Sequence, residues 1–464
     1  MVHASVVLKR IKLGHSQNKQ WPQIVASGAI SWYAFLIGVQ SSWMSPSVPK
    51  LISADSYIPM TFEETAYFAI FQSAAMIVFS FVGASIGDIM GRKRTCYLVS
   101  LLQLASWLSV GFARNVYVLH VSRILTGITD AFFLFSTPYY ISETTEKHIR
   151  GRMGILITLS FSVGVLFINV VGYYLSIPSA AFVMAAVTIL HFSIFIFMPE
   201  SPYWLVQRNR SDEARQQLQL LRWREDVDKE FAEISEAVRK QSVVKGSYKE
   251  LFMDECNRKA LIITLATRVA QQSSGYSAVN NFLQLIFAQA GGGIERHVSA
   301  SICALVSGAT CLGVTLIIDR YGRRPLILIS SGLTSTILFA ISLLFYFKFS
   351  YNVHIADWLP LLFMITYIIT QSMGLAMIPS LTMGELFSAH VKCKAGLIIN
   401  VTHGSMKIFT AKTFQVMVDN VGLYSPFLVF GSTCLVFTLI LYCIFVETKN
   451  KTLDEIQIIL RHDH

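Results

Sequence analysis

Charge is what this sequence lacks. Of 464 residues only 14% are charged, with 28 Asp and Glu against 38 Lys and Arg, while 53% are hydrophobic. So few charges do not cover the surface of several soluble domains, which excludes an ordinary soluble protein of this length. The seven cysteines (Cys96, Cys256, Cys303, Cys311, Cys393, Cys434 and Cys443) form an odd set without metal-ligand spacing. A disulfide framework and a bound metal are therefore not expected. There is no Walker motif, which excludes an ATP-driven pump. The first 20 residues are polar and basic without an apolar core, so no cleavable signal peptide is expected and the first apolar run must serve for insertion.

What is present is apolar length. Twelve stretches stand near 25–47, 65–86, 95–113, 116–139, 154–174, 180–198, 260–290, 299–318, 325–346, 358–387, 395–418 and 424–446. About 20 apolar residues match a bilayer core of about 30 Å, and such a run satisfies its backbone only as a helix. The net charge of +10 is distributed by loop. Lys9, Arg10, Lys12 and Lys19 precede the first span; Arg92, Lys93 and Arg94 follow the second; Lys147, Arg150 and Arg152 follow the fourth. The 199–259 segment, Arg320, Arg323, Arg324, Lys392, Lys394, Lys449, Lys451 and Arg461 continue the same alternation. The bias of positive loops puts both termini and the central loop in the cytoplasm, so the basicity reports orientation and not nucleic-acid binding.

Two signatures are duplicated. Glu143, His148, Arg150, Arg152 and Gly154 after the fourth span recur at identical offsets as Glu385, His390, Lys392, Lys394 and Gly396 after the tenth. Asp88-Ile-Met-Gly91-Arg92-Lys93 recurs as Asp319-Arg-Tyr-Gly322-Arg323-Arg324 after the eighth. Two copies of a six-helix unit around a midplane cavity are how secondary transporters alternate access. The expected fold is an all-α membrane protein of twelve transmembrane helices in two pseudo-symmetric six-helix bundles, with short cytoplasmic helices between them. The divisions are 1–24 (cytoplasmic segment), 25–198 (first bundle), 199–259 (linker), 260–446 (second bundle) and 447–464 (cytoplasmic tail). In the linker, Ser211 before Asp212 and Glu213 starts a helix, and Leu218, Leu221, Phe231, Ile234 and Val238 form an apolar stripe. Pro46 and Pro49, Pro138, Gly275, Gly374 and Pro379 permit close helix approach or local breaks, which makes the first, fourth, seventh and tenth spans cavity candidates.

These motifs, with Arg123, Pro199-Glu200-Ser201-Pro202, Gln271-Gln272-x-Ser274-Gly275, Gly384-Glu385-Leu386-Phe387, Glu447-Thr448-Lys449 and Thr452 to Ile456, resemble the sugar porter family of the major facilitator superfamily over nearly the whole chain. The nearest likeness is to its insect-type facilitated trehalose transporters. The resemblance implies the major facilitator fold and a cytoplasmic gate of acids and bases that pair across the two halves and break on opening. Its members here are Arg92, Lys93, Arg123, Glu143, Arg150, Glu200, Asp319, Arg323, Arg324, Glu385, Lys392 and Glu447.

For substrate, the resemblance points to Gln271 and Gln272, whose amides would meet sugar hydroxyls, unless they join helices instead. Ser277 and Asn281 belong to the same span. The chain departs from the glucose-transporting pattern at Thr158 (Gln in those relatives), at Ser277 and Ser307 (Asn), at Ser380 (Trp), at His403-Gly404 (Asn-Trp) and at Lys407 (Asn). A pocket without its tryptophans loses flat faces for a sugar ring. Asp130, Arg268, His403 and Lys407 put charge or titratable groups within spans, where burial costs at least about 2.5–3.5 kcal/mol each, so they face the cavity or one another. His191 is expected to bond a neighbouring helix. Gln40 stands where proton-coupled relatives carry Asp, and a neutral amide cannot cycle a proton.

The expected function is a plasma-membrane uniporter, not an enzyme, moving hexose or trehalose by facilitated diffusion, with no cofactor, metal, catalytic residue or obligate protein partner. Alternatives are an organic-anion carrier of the same fold, drawn by Arg268 and Lys407, and a non-transporting sugar sensor.

Overall fold

A computed structural model describes residues 20–243, 247–291, 293–353, 355–449, 451 and 453–462. Lys9, Arg10, Lys12, Lys19 and the side chains of Arg150 and Asp319 lie outside the described residues. Six spans form the first bundle. They are α1 (Trp21–Ser42) with α2 (Met44–Ile52), α3 (Phe62–Met90), α4 (Arg92–Gly111), α5 (Val116–Thr144), α6 (Lys147–Tyr174) and α7 (Ile177–Phe195). Four short helices follow, α8 (Pro202–Gln207), α9 (Ser211–Arg222), α10 (Asp228–Val243) and α11 (Tyr248–Met253). The second bundle comprises α12 (Glu255–Ser273) with α13 (Tyr276–Ala290), α14 (Arg296–Tyr321), α15 (Arg323–Tyr351), α16 (Leu359–Met373) with α17 (Ile378–Glu385), α18 (Ala389–Asn420) and α19 (Tyr424–Ile444). The chain closes with α20 (Leu453–His462).

Most of these helices run about a turn beyond the apolar stretches, because their ends are built from polar caps. Thr61 and Glu64 form a reciprocal capping box on α3, and Asn115 accepts from the Val118 amide on α5. Among the described residues nine helical segments are long and apolar enough to cross a membrane by composition alone. The other three spans are α4, α12 with α13, and α18. The first opens on Arg92-Lys93-Arg94, the second carries Arg268, Gln271 and Gln272, and the third carries Lys392, Lys394, His403, Lys407 and Lys412. Residues of the last two spans also line or stand behind the central cavity, where polarity is satisfied by protein rather than lipid.

Two of the expected breaks are marked. Between α12 and α13 Gly275 takes φ +80°, and a Cβ there would lie 2.4 Å from the Phe430 ring. Between α16 and α17 a Cβ on Gly374 would lie 2.7 Å from the Leu326 carbonyl oxygen. Only glycine permits these approaches. In the first span α1 and α2 meet at Trp43, which keeps helical angles. The fourth span lines the cavity through Asp130 and Phe133 without a break: Pro138 sits inside α5, which runs to Thr144.

The linker stripe is buried as the spacing requires. Leu218, Val227 and Ile234 pack with Phe231 and Val238, while Leu221 joins the first bundle's core. Arg222 fixes this layer, donating to the Thr144 carbonyl at 3.0 Å and pairing with Glu230 at 2.7 Å. The side bearing these helices is the linker side; the opposite one is the far side.

Candidate functional site

Between the bundles lies a cavity of about 520 Å³. Its first-bundle wall includes Ser41, Asp130, Thr158 and Asn169, and its second-bundle wall Ser277, Asn281, Ser307, Ser380, His403 and Lys407. Seven expected substrate residues (Thr158, Ser277, Asn281, Ser307, Ser380, His403 and Lys407) thus converge on one space, with Asp130 beside them. Aromatic residues are nonetheless among the lining: Phe133, Phe161, Tyr276 and Tyr367. Sequence reasoning missed these, along with Asn169 and Gln371; no motif marks them, because helix packing brings them inward.

Gln271 and Gln272 stand behind the wall, not on it. Gln272 accepts from the Ser277 hydroxyl at 2.7 Å and its Nε2 lies 3.3 Å from His403 Nδ1. Gln271 accepts from Arg268 at 3.0 Å and donates to the Ala376 carbonyl at 3.1 Å, inside the break of the tenth span. Arg268 also donates to the Ser380 hydroxyl at 3.0 Å. The broken spans seven and ten are therefore tied to each other, and the cavity wall carries what this tie positions, Ser277, Ser380 and His403.

On the first-bundle side, Asp130 accepts from the Gln72 amide at 2.7 Å and leaves its other oxygen without a hydrogen bond. Arg123 corrects its expected place in the gate. It is fully buried over Trp43, with the guanidinium 4.2 Å from the ring centroid. That stack is worth roughly 2 kcal/mol in a desolvated site. At 1.5 Å per residue it stands about 30 Å along α5 from Glu143, near the far side. His191 bonds neighbouring helices as expected, with Ser100 at 3.2 Å and the Ala29 carbonyl at 3.2 Å.

At the linker side the duplicated motifs fold into duplicated corners. Arg92 pairs with Glu143 at 2.9 Å and with Asp88 at 3.0 Å; Arg323 pairs with Glu385 at 3.0 Å. Glu200 accepts from the Lys93 amide at 3.0 Å at the start of α4. Glu447 accepts from the Arg323 and Arg324 amides, each at 2.9 Å, at the start of α15. A carboxylate at a helix N-terminus meets unsatisfied amides and the positive dipole end. The two glycines before these helices take φ +92° and +90°, and a Cβ on Gly91 would lie 2.7 Å from Glu200 and one on Gly322 2.6 Å from Glu447. Ser201 donates to Glu143, and Thr448 donates to Glu385. These two hydroxyls were missed; their signal is the acid-hydroxyl pair Glu200-Ser201 repeated as Glu447-Thr448. Lys93 and Arg324 each donate to the end of a neighbouring span, at Ile196 and Tyr442, and Lys392 donates to Gly384 at 3.3 Å.

Burial raises the pKa of the Glu200 carboxyl above the ordinary range, against the amides of Lys93 and Ser201 and the charges of Arg92 and Lys93. Burial acts the same way on Glu447, but the amides of Arg323, Lys449, Arg324 and Thr448 outweigh it and hold that pKa below the range.

The expected pairing across the halves is corrected here. The described pairs of Arg92 and Arg323 run within each bundle, because each base reaches the acid on the adjoining span of its own six-helix unit. Contacts between bundles are found at the far side, where Lys412 pairs with Glu63 at 2.9 Å, Gln284 donates to Asn169 at 3.1 Å, and His297 stacks on Tyr173 at 3.7 Å. On the linker side Tyr139 Oη lies 3.1 Å from Cys393 Sγ.

Comparison with known proteins agrees with this architecture. Residues 22–460 match the family described as Sugar (and other) transporter. The chain is 30% identical over 443 residues to the facilitated trehalose transporter Tret1 of Apis mellifera ligustica, covering 94% of this chain and 87% of that one. It is 28% identical over 440 residues to Tret1 of Bombyx mori, covering 94% and 86%. Tret1 of Anopheles gambiae is 31% identical over 444 residues but longer, and the chain spans 56% of it. Among solved structures, the inward open conformation of the xylose transporter XylE from E. coli has a TM-score of 0.76 at 17% identity, over 94% of this chain and 98% of that one. XylE bound to 6-bromo-6-deoxy-D-glucose has a TM-score of 0.75 at 17% identity, over 96% and 100%. At that identity the likeness establishes the fold. The broken helices, the chamber between two bundles and the near full-length match make this chain a multi-pass membrane protein of the Sugar (and other) transporter family.

Proposed function

We propose that the protein moves hexose or trehalose across the plasma membrane by facilitated diffusion, the two bundles rocking about the central chamber. The observation that carries this reading is the chamber itself. Its volume falls in the roughly 300–1,000 Å³ typical of small-molecule sites, and it is lined by hydroxyls and amides with aromatic faces among them. Those groups suit a polyol, whose hydroxyls need donors and acceptors together. The named relatives, facilitated trehalose transporters, support the same substrate class.

In this reading Thr158, Ser277, Asn281, Ser307, Ser380 and His403 contact the sugar, and Gln271 and Gln272 hold the second-bundle wall in shape. Residues 25–198 and 260–446 move as the two bodies, the 199–259 linker stays with the cytoplasmic side, and both termini (1–24 and 447–464) are cytoplasmic. The corners around Glu143 and Glu385 keep each body rigid as it rocks. No enzyme activity, cofactor, metal or obligate protein partner enters the cycle.

The test is uptake of labelled glucose and trehalose by purified protein in liposomes, with and without a pH gradient. Saturable uptake indifferent to the gradient is expected. Binding without uptake would replace the carrier by a sensor, and gradient-driven accumulation would replace facilitated diffusion by proton coupling.

A further inference from the structure

The interior of the bundle is electrically unbalanced. Among the described residues within the spans that stand outside ion pairs, Arg123, Arg268 and Lys407 bring three positive charges against the single carboxylate of Asp130. Each charge held in the membrane interior is costly unless something compensates it. Arg123 spreads its charge over the Trp43 ring, and Arg268 is held by neutral partners, the Gln271 amide and the Ser380 hydroxyl. Asp130 is already bonded by Gln72, and its electrostatic partners are Lys407 on the facing wall and Arg123 on its own helix, so it balances one of the two at most. Lys407 stands on the chamber wall with no hydrogen bond or ion pair to its ammonium among the described residues. His403 lies one turn before it on the same helix face, and the Arg268-held hydroxyl of Ser380 lines the same cavity. The second-bundle wall thus presents a cation that shares the Asp130 carboxylate with Arg123 and has no direct bond of its own among the described residues, beside two polar groups, inside a chamber otherwise furnished for hydroxyls.

We infer that the chamber accepts, beside neutral sugars, a sugar carrying a single carboxylate, a hexuronate, with the carboxylate bound by Lys407 and the hydroxyls by the remaining wall. This inference rests on the transport reading above. A carboxylate offsets one of the two positive charges that Asp130 leaves over, which a neutral hexose does not, and its bond to an ammonium in a water-poor site is of the strong, charge-assisted kind. Because the fixed charges of the wall do not cross the membrane, carrying the acid moves one negative charge per cycle. Neutral sugar moves none.

The experiment compares labelled glucuronate with labelled glucose and trehalose in proteoliposomes, with a potassium diffusion potential imposed by valinomycin. The expected result is saturable glucuronate uptake that quickens when the interior is made positive, beside neutral-sugar uptake indifferent to the potential. Lys407→Gln should lower the ratio of glucuronate to neutral uptake about ten-fold, and Lys407→Arg, which keeps the charge, should hold it within about two-fold of the original. Neutral uptake without glucuronate uptake overturns this inference and leaves the sugar reading standing. Absence of both overturns the two together. Glucuronate uptake whose ratio is untouched in Lys407→Gln overturns the assignment to that lysine.

Discussion

The two halves of the molecule agree at their linker-side corners and disagree at the chamber. Each corner is the same device: an arginine at the start of a helix, an acid at the end of the next span, a hydroxyl bonded to that acid, and a second acid on the helix N-terminus behind a glycine at φ near +90°. The chamber walls share no such plan, with Asp130 on one side and His403, Lys407 and the Arg268-Ser380 tie on the other. The difference teaches that the corners, whose pairs close within one bundle, keep a common plan that the chamber walls do not. The wall that meets the solute is free to diverge, because a solute need not be symmetric.

The sharpest way to break the likeness of the corners is to neutralise their acids. The Arg92–Glu143 side chains are 10% and 11% exposed, against 13% and 25% for Arg323–Glu385. The deeper pair loses more when one partner goes. Glu143→Gln should cost about 2 kcal/mol and Glu385→Gln about 1 kcal/mol, read as apparent Tm in detergent. The reverse order would mean that burial does not govern the corners.

Substituting the glycines tests whether the backbone is shared as well. Gly91→Ala and Gly322→Ala each place a Cβ against a glutamate and hold alanine in the left-handed region, at a cost of about 1–2 kcal/mol. Equal losses in unfolding midpoint are expected; sensitivity in one half alone would end the claim of a duplicated corner. Ser201→Ala and Thr448→Val remove one hydroxyl donor each, for about 1 kcal/mol by the same measurement. A null result for both would make the hydroxyls incidental.

The smallest expected effect separates the two capping acids by pH. Glu200 is raised, so it favours the folded state when protonated, a contribution present at low pH and lost as pH rises through its folded value. Glu447 is lowered, so its contribution is present above the ordinary carboxylate range and lost as pH falls through its folded value. On acidification Glu200 takes up its proton first, which relieves the cost of burying its charge, whereas protonating Glu447 removes a carboxylate from the amides that hold it. Hydrogen exchange corrected for intrinsic pH dependence should therefore quicken on acidification at residues 323–327 and not at 92–96. Simultaneous loosening would contradict the opposed shifts.

Much of this was legible from spacing. Helix positions followed the apolar runs because a bilayer imposes length, and the repeated acid-base offsets located both corners. The partners were less legible. Glu143 and Arg92 are 51 residues apart, and whether the base reaches its own half or the other depends on how spans three and four pack. Arg123 shares its residue type with the corner bases, and the family resemblance grouped it with them. Only its position on α5, beside Trp43 at the end of the first span, separates it from them. The amides of Gln271 and Gln272 read as ligands in sequence because their internal partners, Ala376 and His403, arrive from spans ten and eleven.

The central claim is that the bundles rock about the chamber, so that one mouth closes as the other opens. Spin labels in a cysteine-depleted protein, at 139 with 393 on the linker side and at 63 with 412 on the far side, report both mouths by electron–electron distance measurement. Adding transported sugar should shift the two distance distributions in opposite directions. Distributions that lengthen together, or a pair that stays fixed while the other moves, would contradict it.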